Sequence, residues 1–150
     1  NLDVRIVRPH NVYGSRMGFN HVIPQVIERI CKKENPFKIY GHNQTRAFCH
    51  INDAVKAFEL IMNSNECSGK IVHLGTNEET NIHNLVTKLF NISSYWPEVE
   101  LVDPPVGSVD RRCPDVSFLS SIGYKPQVSL QEGLNESYEW YLNYFKNNKL

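Results

Sequence analysis

Residues 2–14, LDVRIVRPHNVYG, join a short strand pattern to a polar turn, and this stretch decides the fold class. Apolar and charged residues alternate at its start, which is typical of a strand, and the pattern ends at Pro9. Open α/β sheets bind ligands at the carboxyl ends of their strands, so we expect Asn11 to lie at a binding site. Its amide can donate to a phosphate oxygen and accept from a sugar hydroxyl. The alternative is a turn-forming residue that holds backbone groups.

Strand and helix patterns alternate along the rest of the chain. FKIYG, KIVHLG and VELV have the composition of strands, and apolar residues recur at helical spacing in the segments between and after them. The first helix should begin near Val22 and end near Asn35-Pro36. Asp53 is the expected N-cap of the second helix, and Thr80 or Asn81 that of the third. Ala54, Ala57, Phe58, Ile61 and Met62 should share the buried face of the second helix.

This alternation predicts an α/β fold, but the strong strands are too few for a complete doubly wound sheet. With 41% hydrophobic and 21% charged residues in 150, the chain has the composition of one compact domain. Its net charge of zero gives no field to hold nucleic acid or an anionic membrane. No apolar run approaches the ~20 residues of a membrane span and no signal peptide is evident, so we expect a cytoplasmic protein. Four cysteines without a C-x-x-C pair argue against a metal site.

Several motifs occur in the order found in one enzyme superfamily. They are RPHNVYG, NHVIP, IYG with TRAFCHINDAV, LGTNEE, and RRCPD with IGYKP. In these motifs the chain resembles the carboxy-terminal part of the extended short-chain dehydrogenases/reductases, which include NAD-dependent nucleotide-sugar 4-epimerases, 4,6-dehydratases and UDP-glucuronate decarboxylases. The resemblance covers essentially the whole chain, residues 1–150. It implies the last strands of a Rossmann-type sheet together with a small mixed α/β substrate-binding domain.

The resemblance also implies which residues contact ligands. Pro9 would lie near the nicotinamide of NAD, and Asn11 near the phosphate or sugar of a nucleoside-diphosphate sugar. Arg46 would clamp the diphosphate, because a planar guanidinium suits phosphate oxygens. A second clamp would come from Arg111 or Arg112, and the sequence leaves open which of them faces the ligand. The other implied substrate contacts are His21 and Val22 at a helix start, and Lys38 and Tyr40 beside the base.

Each of these residues also has a simpler interpretation. Arg111 and Arg112 could form solvated ion pairs with Asp110 or Asp115, which contribute little energy. A histidine at a helix start is usually only solvated, and Lys38 and Tyr40 could belong to an ordinary strand edge. The family often has an aspartate directly after the clamping arginine, whereas this chain has Ala47.

The residues that the family uses for catalysis do not occur in this sequence. It has neither a glycine-rich NAD-binding turn nor a Tyr-x-x-x-Lys pair. In the family the tyrosine acts as general acid or base while NAD takes and returns a hydride. We therefore expect no catalytic residue here and no activity without an amino-terminal Rossmann half. The first strand and its flanking helices would present an apolar face to that half. The complete enzyme would be a homodimer that associates through that half.

The leading hypothesis is the substrate-binding portion of a 4-epimerase-like enzyme that is active only together with its NAD-binding half. A UDP-glucuronate decarboxylase or 4,6-dehydratase fragment is an alternative from the same family. A non-catalytic nucleotide-sugar binding module is an alternative of another class. A scaffold without a small-molecule ligand would require Arg46 to lie far from both Arg111 and Arg112.

Overall fold

The computed structural model describes residues 2–148, in which short strands alternate with helices. The strands are β1 (Ile6–Pro9), β2 (Val12–Tyr13), β3 (Phe37–Tyr40), β4 (Thr45–Ala47), β5 (Cys49–His50), β6 (Ile71–Leu74), β7 (Glu79–Asn81), β8 (Val99–Val102) and β9 (Arg111–Arg112). The helices are α1 (Val22–Cys31), α2 (Ile51–Asn63), α3 (Ile82–Ser93), α4 (Ser117–Ser121) and α5 (Leu130–Asn147), with one 3₁₀ turn at Asn65–Cys67. The chain is therefore of the predicted α/β class.

The strands form four small sheets. β1 pairs in parallel with β6, β2 with β5, and β3 with β8. β4 is the centre of a three-stranded sheet, antiparallel to β7 and parallel to β9. Parallel strands normally belong to sheets that are covered on both faces. The β1–β6 pair is thus the kind of element expected within a larger sheet.

Two clusters of buried residues hold the elements together. The first core lies between α1, α3, α5 and β3, and its members include Ile23, Phe37, Leu89 and Tyr141. The second core lies between α2, α4 and β6, and several of its members are small, among them Ala54, Ala57 and Cys67. No helix within residues 2–148 is both long and apolar enough to cross a membrane.

Helix α1 begins at Val22 as predicted, but it ends at Cys31, before Asn35-Pro36. Lys33 adopts a left-handed conformation with φ of 55°. The amide of Glu34 then donates to the carbonyl of Arg29, and that of Lys33 to the carbonyl of Ile30. This pattern is a Schellman motif, which closes the helix five residues before Pro36.

Helix α2 differs from its prediction at two points. It begins at Ile51, and its N-cap is His50, whose Nδ1 accepts from the amide of Asn52 at 3.4 Å. The prediction of Asp53 as N-cap was therefore wrong. Phe58 and Met62, which we expected on the buried face, are exposed.

The N-cap of α3 is Asn81, one of the two predicted, and its side chain accepts from the amide of Asn84 at 2.7 Å.

Candidate functional site

An open cleft of about 420 Å³ lies beside the amino terminus of α1. Its walls come from the turn after β1, the loop before α1, and the strands β3, β4 and β9. Most of the predicted site residues line it, namely Asn11, His21, Val22, Tyr40, Arg46 and Arg112. The structure therefore brings together side chains from segments up to a hundred positions apart in the sequence.

Arg46 and Arg112 lie side by side in this cleft, because they are register partners on the parallel strands β4 and β9. The guanidinium of Arg46 donates to the carbonyls of Thr45 and Asp110, at 2.8 and 3.3 Å. Neither arginine has a carboxylate oxygen within 4.0 Å among residues 2–148. Burial and the charge of Arg112 lower the pKa of Arg46, and Asp110 opposes them. An anion between the two guanidinium groups would relieve this repulsion.

Arg111 lies outside the cleft. Successive side chains of a strand point to opposite faces, so Arg111 leaves the sheet on the side away from Arg112. Its Nη2 lies 2.6 Å from Oε1 of Glu79, and its Nε is 3.1 Å from both carboxylate oxygens. This pairing and the hydroxyl of Thr45 lower the pKa of Glu79. Arg111 thus forms an ion pair, as its simpler interpretation proposed, but with Glu79 and neither Asp110 nor Asp115.

The amino terminus of α1 faces the cleft without a cap. His21 occupies the N-cap position, and its side chain makes no capping hydrogen bond. The first turn contains no acidic residue, and the amides of Val22 and Ile23 donate to no backbone carbonyl within residues 2–148. Free amides and the positive end of the helix dipole favour an anion at such a position.

Asn11 has a structural role as well as a place in the cleft. Its backbone is in the left-handed region with φ of 40°, a conformation that asparagine tolerates better than most residues. Its side-chain amide donates to the carbonyl of Ala47 at 3.0 Å, and its own carbonyl accepts from the amide of Cys49 at 3.2 Å. Asn11 therefore joins the turn after β1 to β4 and β5 and fixes one wall of the cleft.

Tyr40 and Lys38 share the exposed face of β3 but lie in different places. The half-exposed ring of Tyr40 lines the cleft. Lys38 lines a smaller groove next to it, of about 170 Å³, and its Nζ lies 3.6 Å from a carboxylate oxygen of Glu100 on β8. The structure therefore does not bring Lys38 into the cleft. Pro9 is also outside the cleft, exposed at the carboxyl end of β1.

The sequence analysis missed several cleft residues, of which Asn20 and Gln44 are polar. Met17, Phe48 and Ile82 add apolar surface to the same walls. Gln44 precedes Arg46 by two positions, the spacing at which residues of an extended segment share a face. That spacing is a signal in the sequence that could have found Gln44.

A second cleft, of about 500 Å³, lies on the other side of Phe48. Its lining includes the acidic residues Asp53, Glu78 and Glu79, together with Lys88 and His50. The amino terminus of α5 borders it, but Ser129 and Glu132 cap that helix reciprocally. A capped helix start beside three carboxylates does not favour an anion. The smaller cleft is therefore the better candidate for a phosphate ligand.

Comparison with known proteins supports one family. The model of the NAD dependent epimerase/dehydratase family matches residues 1–75. A putative UDP-glucose 4-epimerase of Methanocaldococcus jannaschii is 30% identical over 145 residues, which cover 95% of this chain and 47% of that protein. UDP-glucuronic acid decarboxylase 1 of Danio rerio is 31% identical over 144 residues, which cover 93% and 34%.

Solved structures give the same result. The UDP-glucose 4-epimerase of Thermotoga maritima with UDP-glucose superposes with a TM-score of 0.83 at 27% identity, covering 93% of this chain and 46% of that one. DesIV, a dTDP-glucose 4,6-dehydratase of Streptomyces venezuelae with NAD and TYD bound, gives 0.85 at 27% identity, covering 97% and 45%. The chain thus spans no more than about half the length of these relatives. Both the predicted fold class and the predicted family are confirmed: the chain belongs to the NAD-dependent epimerase/dehydratase family.

Proposed function

We propose that the cleft binds the nucleoside diphosphate of a nucleotide sugar, with the diphosphate between Arg46 and Arg112 at the start of α1. One observation carries this proposal. The two arginines lie on neighbouring strands, without a carboxylate partner in residues 2–148, next to an uncapped helix amino terminus. Two guanidinium groups and free amides together suit the several oxygens of a diphosphate.

The rest of the cleft fits the other parts of such a ligand. The exposed ring of Tyr40 offers a flat surface to the base, and Asn11 offers a carbonyl and an amide group near the sugar end. The ligands named for the two superposed relatives, UDP-glucose and TYD, support this assignment. The substrate contacts that we propose are therefore Asn11, His21, Val22, Tyr40, Arg46 and Arg112.

We further propose that residues 1–150 form the substrate-binding part of an NAD-dependent, 4-epimerase-like enzyme whose NAD-binding half is a further segment. The β1–β6 pair supports this proposal. Within residues 2–148, β1 has one strand neighbour, and Ile6 and Ile71 are register partners that remain exposed. A parallel sheet with an open edge and an uncovered apolar face is suited to receive more strands and helices.

The residues of this chain fit only one end of NAD. Pro9 is exposed at the carboxyl end of β1, where ligands of α/β sheets bind, and could border the nicotinamide. The sequence offers no glycine-rich turn for the cofactor's diphosphate, so that group would be held by the further segment. NAD, when bound, supplies the removal and return of a hydride at the sugar. The role of this chain is then to hold and orient the nucleotide sugar.

The experiment uses two adjacent arginines as a matched pair. UDP is titrated by calorimetry into the wild-type chain and into the variants Arg112→Ala and Arg111→Ala. A lost hydrogen bond to a charged group corresponds to about 10- to 100-fold in affinity, so Arg112→Ala should weaken binding by at least about tenfold. Arg111→Ala, which loses only the ion pair with Glu79, should stay within about twofold. Equal losses of UDP affinity in the two variants would contradict the proposal. A folded wild-type chain that does not bind UDP would also contradict it.

A further inference from the structure

We propose that Gln44 is a further binding residue of the cleft, whose amide NH₂ group donates a hydrogen bond to an acceptor oxygen of the bound nucleotide. This inference rests on the proposed function and adds a residue that neither the motifs nor the comparisons assign. It starts from an unpaired polar group. The side chain of Gln44 lines the cleft, yet the residue is only 9% exposed, and its Nε2 has no hydrogen-bond partner within residues 2–148.

An unpaired buried donor is costly, and most buried polar groups in proteins have a partner. A side chain that only filled space at the cleft wall would not need a free NH₂ group. Its place at the wall of the cleft therefore points to a ligand atom as the missing hydrogen-bond partner. The partner must be an acceptor, because the free group is an NH₂.

Arg46 fixes the orientation of this amide. Its Nη2 donates to Oε1 of Gln44 at 3.2 Å. A guanidinium group has donors only, so the carbonyl end of the amide must face Arg46 and the NH₂ end must point away from it. The arginine proposed to hold the diphosphate thus also directs the neighbouring donor.

The backbone around Gln44 keeps the side chain in place. The amide of Gln44 donates to the carbonyl of Gly41 at 2.9 Å, and its carbonyl accepts from the amide of Ile82 at 3.0 Å. The side chain lies over Gly41, where an added Cβ would come within 2.7 Å of Oε1. Gly41 also has φ of +61°, a conformation that other residues rarely adopt. The turn therefore leaves room for the glutamine amide and for little else.

Two kinds of oxygen could accept this hydrogen bond. Gln44 lies between Arg46, which is proposed to contact phosphate, and the Tyr40-Gly41 turn, which borders the proposed base position. The acceptor is accordingly either a phosphate oxygen or a carbonyl oxygen of the base. A nucleoside diphosphate such as UDP carries both kinds of oxygen. A ligand with neither would leave the amide of Gln44 unpaired.

The test compares Gln44→Met, which keeps a similar side-chain length without a donor, with Gln131→Met, the same change at an exposed position of the second cleft. Calorimetry with UDP should show about a tenfold weaker affinity for Gln44→Met and no change for Gln131→Met. The thermal midpoint of the free Gln44→Met chain should change little, because the removal of a buried unpaired donor offsets the loss of the hydrogen bond from Arg46. Gln44→Glu should lose more affinity, since its carboxylate would pair with Arg46 and repel phosphate.

Titration of the same variants with inorganic pyrophosphate identifies the accepting oxygen. A parallel loss for pyrophosphate assigns a phosphate oxygen, whereas a loss for UDP alone assigns a base carbonyl, and both results support the inference. In the wild-type chain, the side-chain NH₂ resonances of Gln44 should shift downfield when UDP is added, a readout that does not depend on how the variants fold. Unchanged UDP affinity in Gln44→Met, or NH₂ resonances that do not move, would overturn the inference and leave the arginine site intact. A wild-type chain that does not bind UDP would refute both.

Discussion

The two cores of this chain differ in what covers them. The first core is enclosed by helices α1, α3 and α5 and contains large side chains such as Phe37, Leu89 and Tyr141. The second core combines small residues such as Ala54 and Cys67 with larger ones such as Ile61 and Tyr124, and helix α2 beside it carries a continuous row of exposed apolar residues. On the outer face of α2 these exposed residues are Ile51, Val55, Phe58 and Met62.

Their spacing of four, three and four positions places these four residues in one stripe along α2. Soluble monomers rarely expose large contiguous apolar patches, and such a patch marks an interaction site. The comparison therefore indicates that the second core, beside α2, has an apolar stripe left for contact with a further segment.

Asp53 links the two cores, and its replacement should cause the largest loss of stability among the changes proposed. Its buried carboxylate accepts from the amides of Gln127 and Val128, both at 3.0 Å, on the turn that leads into α5. Asp53→Ala leaves two amides without their acceptor, which should lower the free energy of unfolding by about 2–4 kcal/mol in urea denaturation. Asp115→Ala is the control, because Asp115 also accepts from a backbone amide, that of Ser117, but is exposed. An Asp53→Ala loss no greater than that of the control would show that this link does not couple the cores.

The apolar stripe of α2 should control self-association with a smaller effect. Replacing Phe58 and Met62 with lysine removes apolar side chains that belong to neither core, so the fold should survive. Sedimentation velocity should then show a self-association constant at least about tenfold weaker than for the wild-type chain, or about 1.4 kcal/mol. UDP affinity should not change, because the cleft belongs to the first core. Equal self-association of the wild-type chain and the lysine variant would show that the stripe of α2 is not a contact surface.

Acid should weaken the ion pair between Arg29 and Glu34 at the edge of the first core, with the smallest effect on the free energy of unfolding. The hydrogen bonds from Arg29 lower the pKa of Glu34 below its ordinary value, which is near 4.5. A carboxylate with a lowered folded-state pKa contributes stability above that ordinary value, and the contribution is lost as the pH falls through the folded-state pKa. The pair is largely exposed, so the contribution should be under about 1 kcal/mol. Urea denaturation at pH 7 and pH 3 should show a larger acid loss for the wild type than for Glu34→Gln; equal losses would contradict this assignment.

The sequence predicted the long elements and the family motifs, and it failed where a neighbouring segment decides the structure. The helix pattern from Val22 located α1, since its apolar spacing reflects the face that it buries. Strands β4, β5, β7 and β9 have two or three residues each, too few to show a period, and exist because adjacent segments pair with them.

In the candidate site, too, the sequence predicted the motif residues but not the features that depend on a neighbouring segment. The motifs pointed to Arg46 and to an Arg111-Arg112 pair, but the register between β4 and β9 was needed to place Arg112 in the cleft and Arg111 against Glu79. Gln44 was missed because its burial depends on the left-handed turn at Gly41. Asp53 was assigned to the wrong role because its partners, Gln127 and Val128, lie more than 70 positions away.

The most direct test of the central claim is a crystal structure of the chain grown or soaked with UDP. The account predicts a diphosphate in the cleft of about 420 Å³, in contact with the guanidinium groups of Arg46 and Arg112 and with the amides that begin α1. The uracil should then lie against Tyr40. A diphosphate bound in the second cleft, or a first cleft that stays empty at saturating UDP, would contradict it.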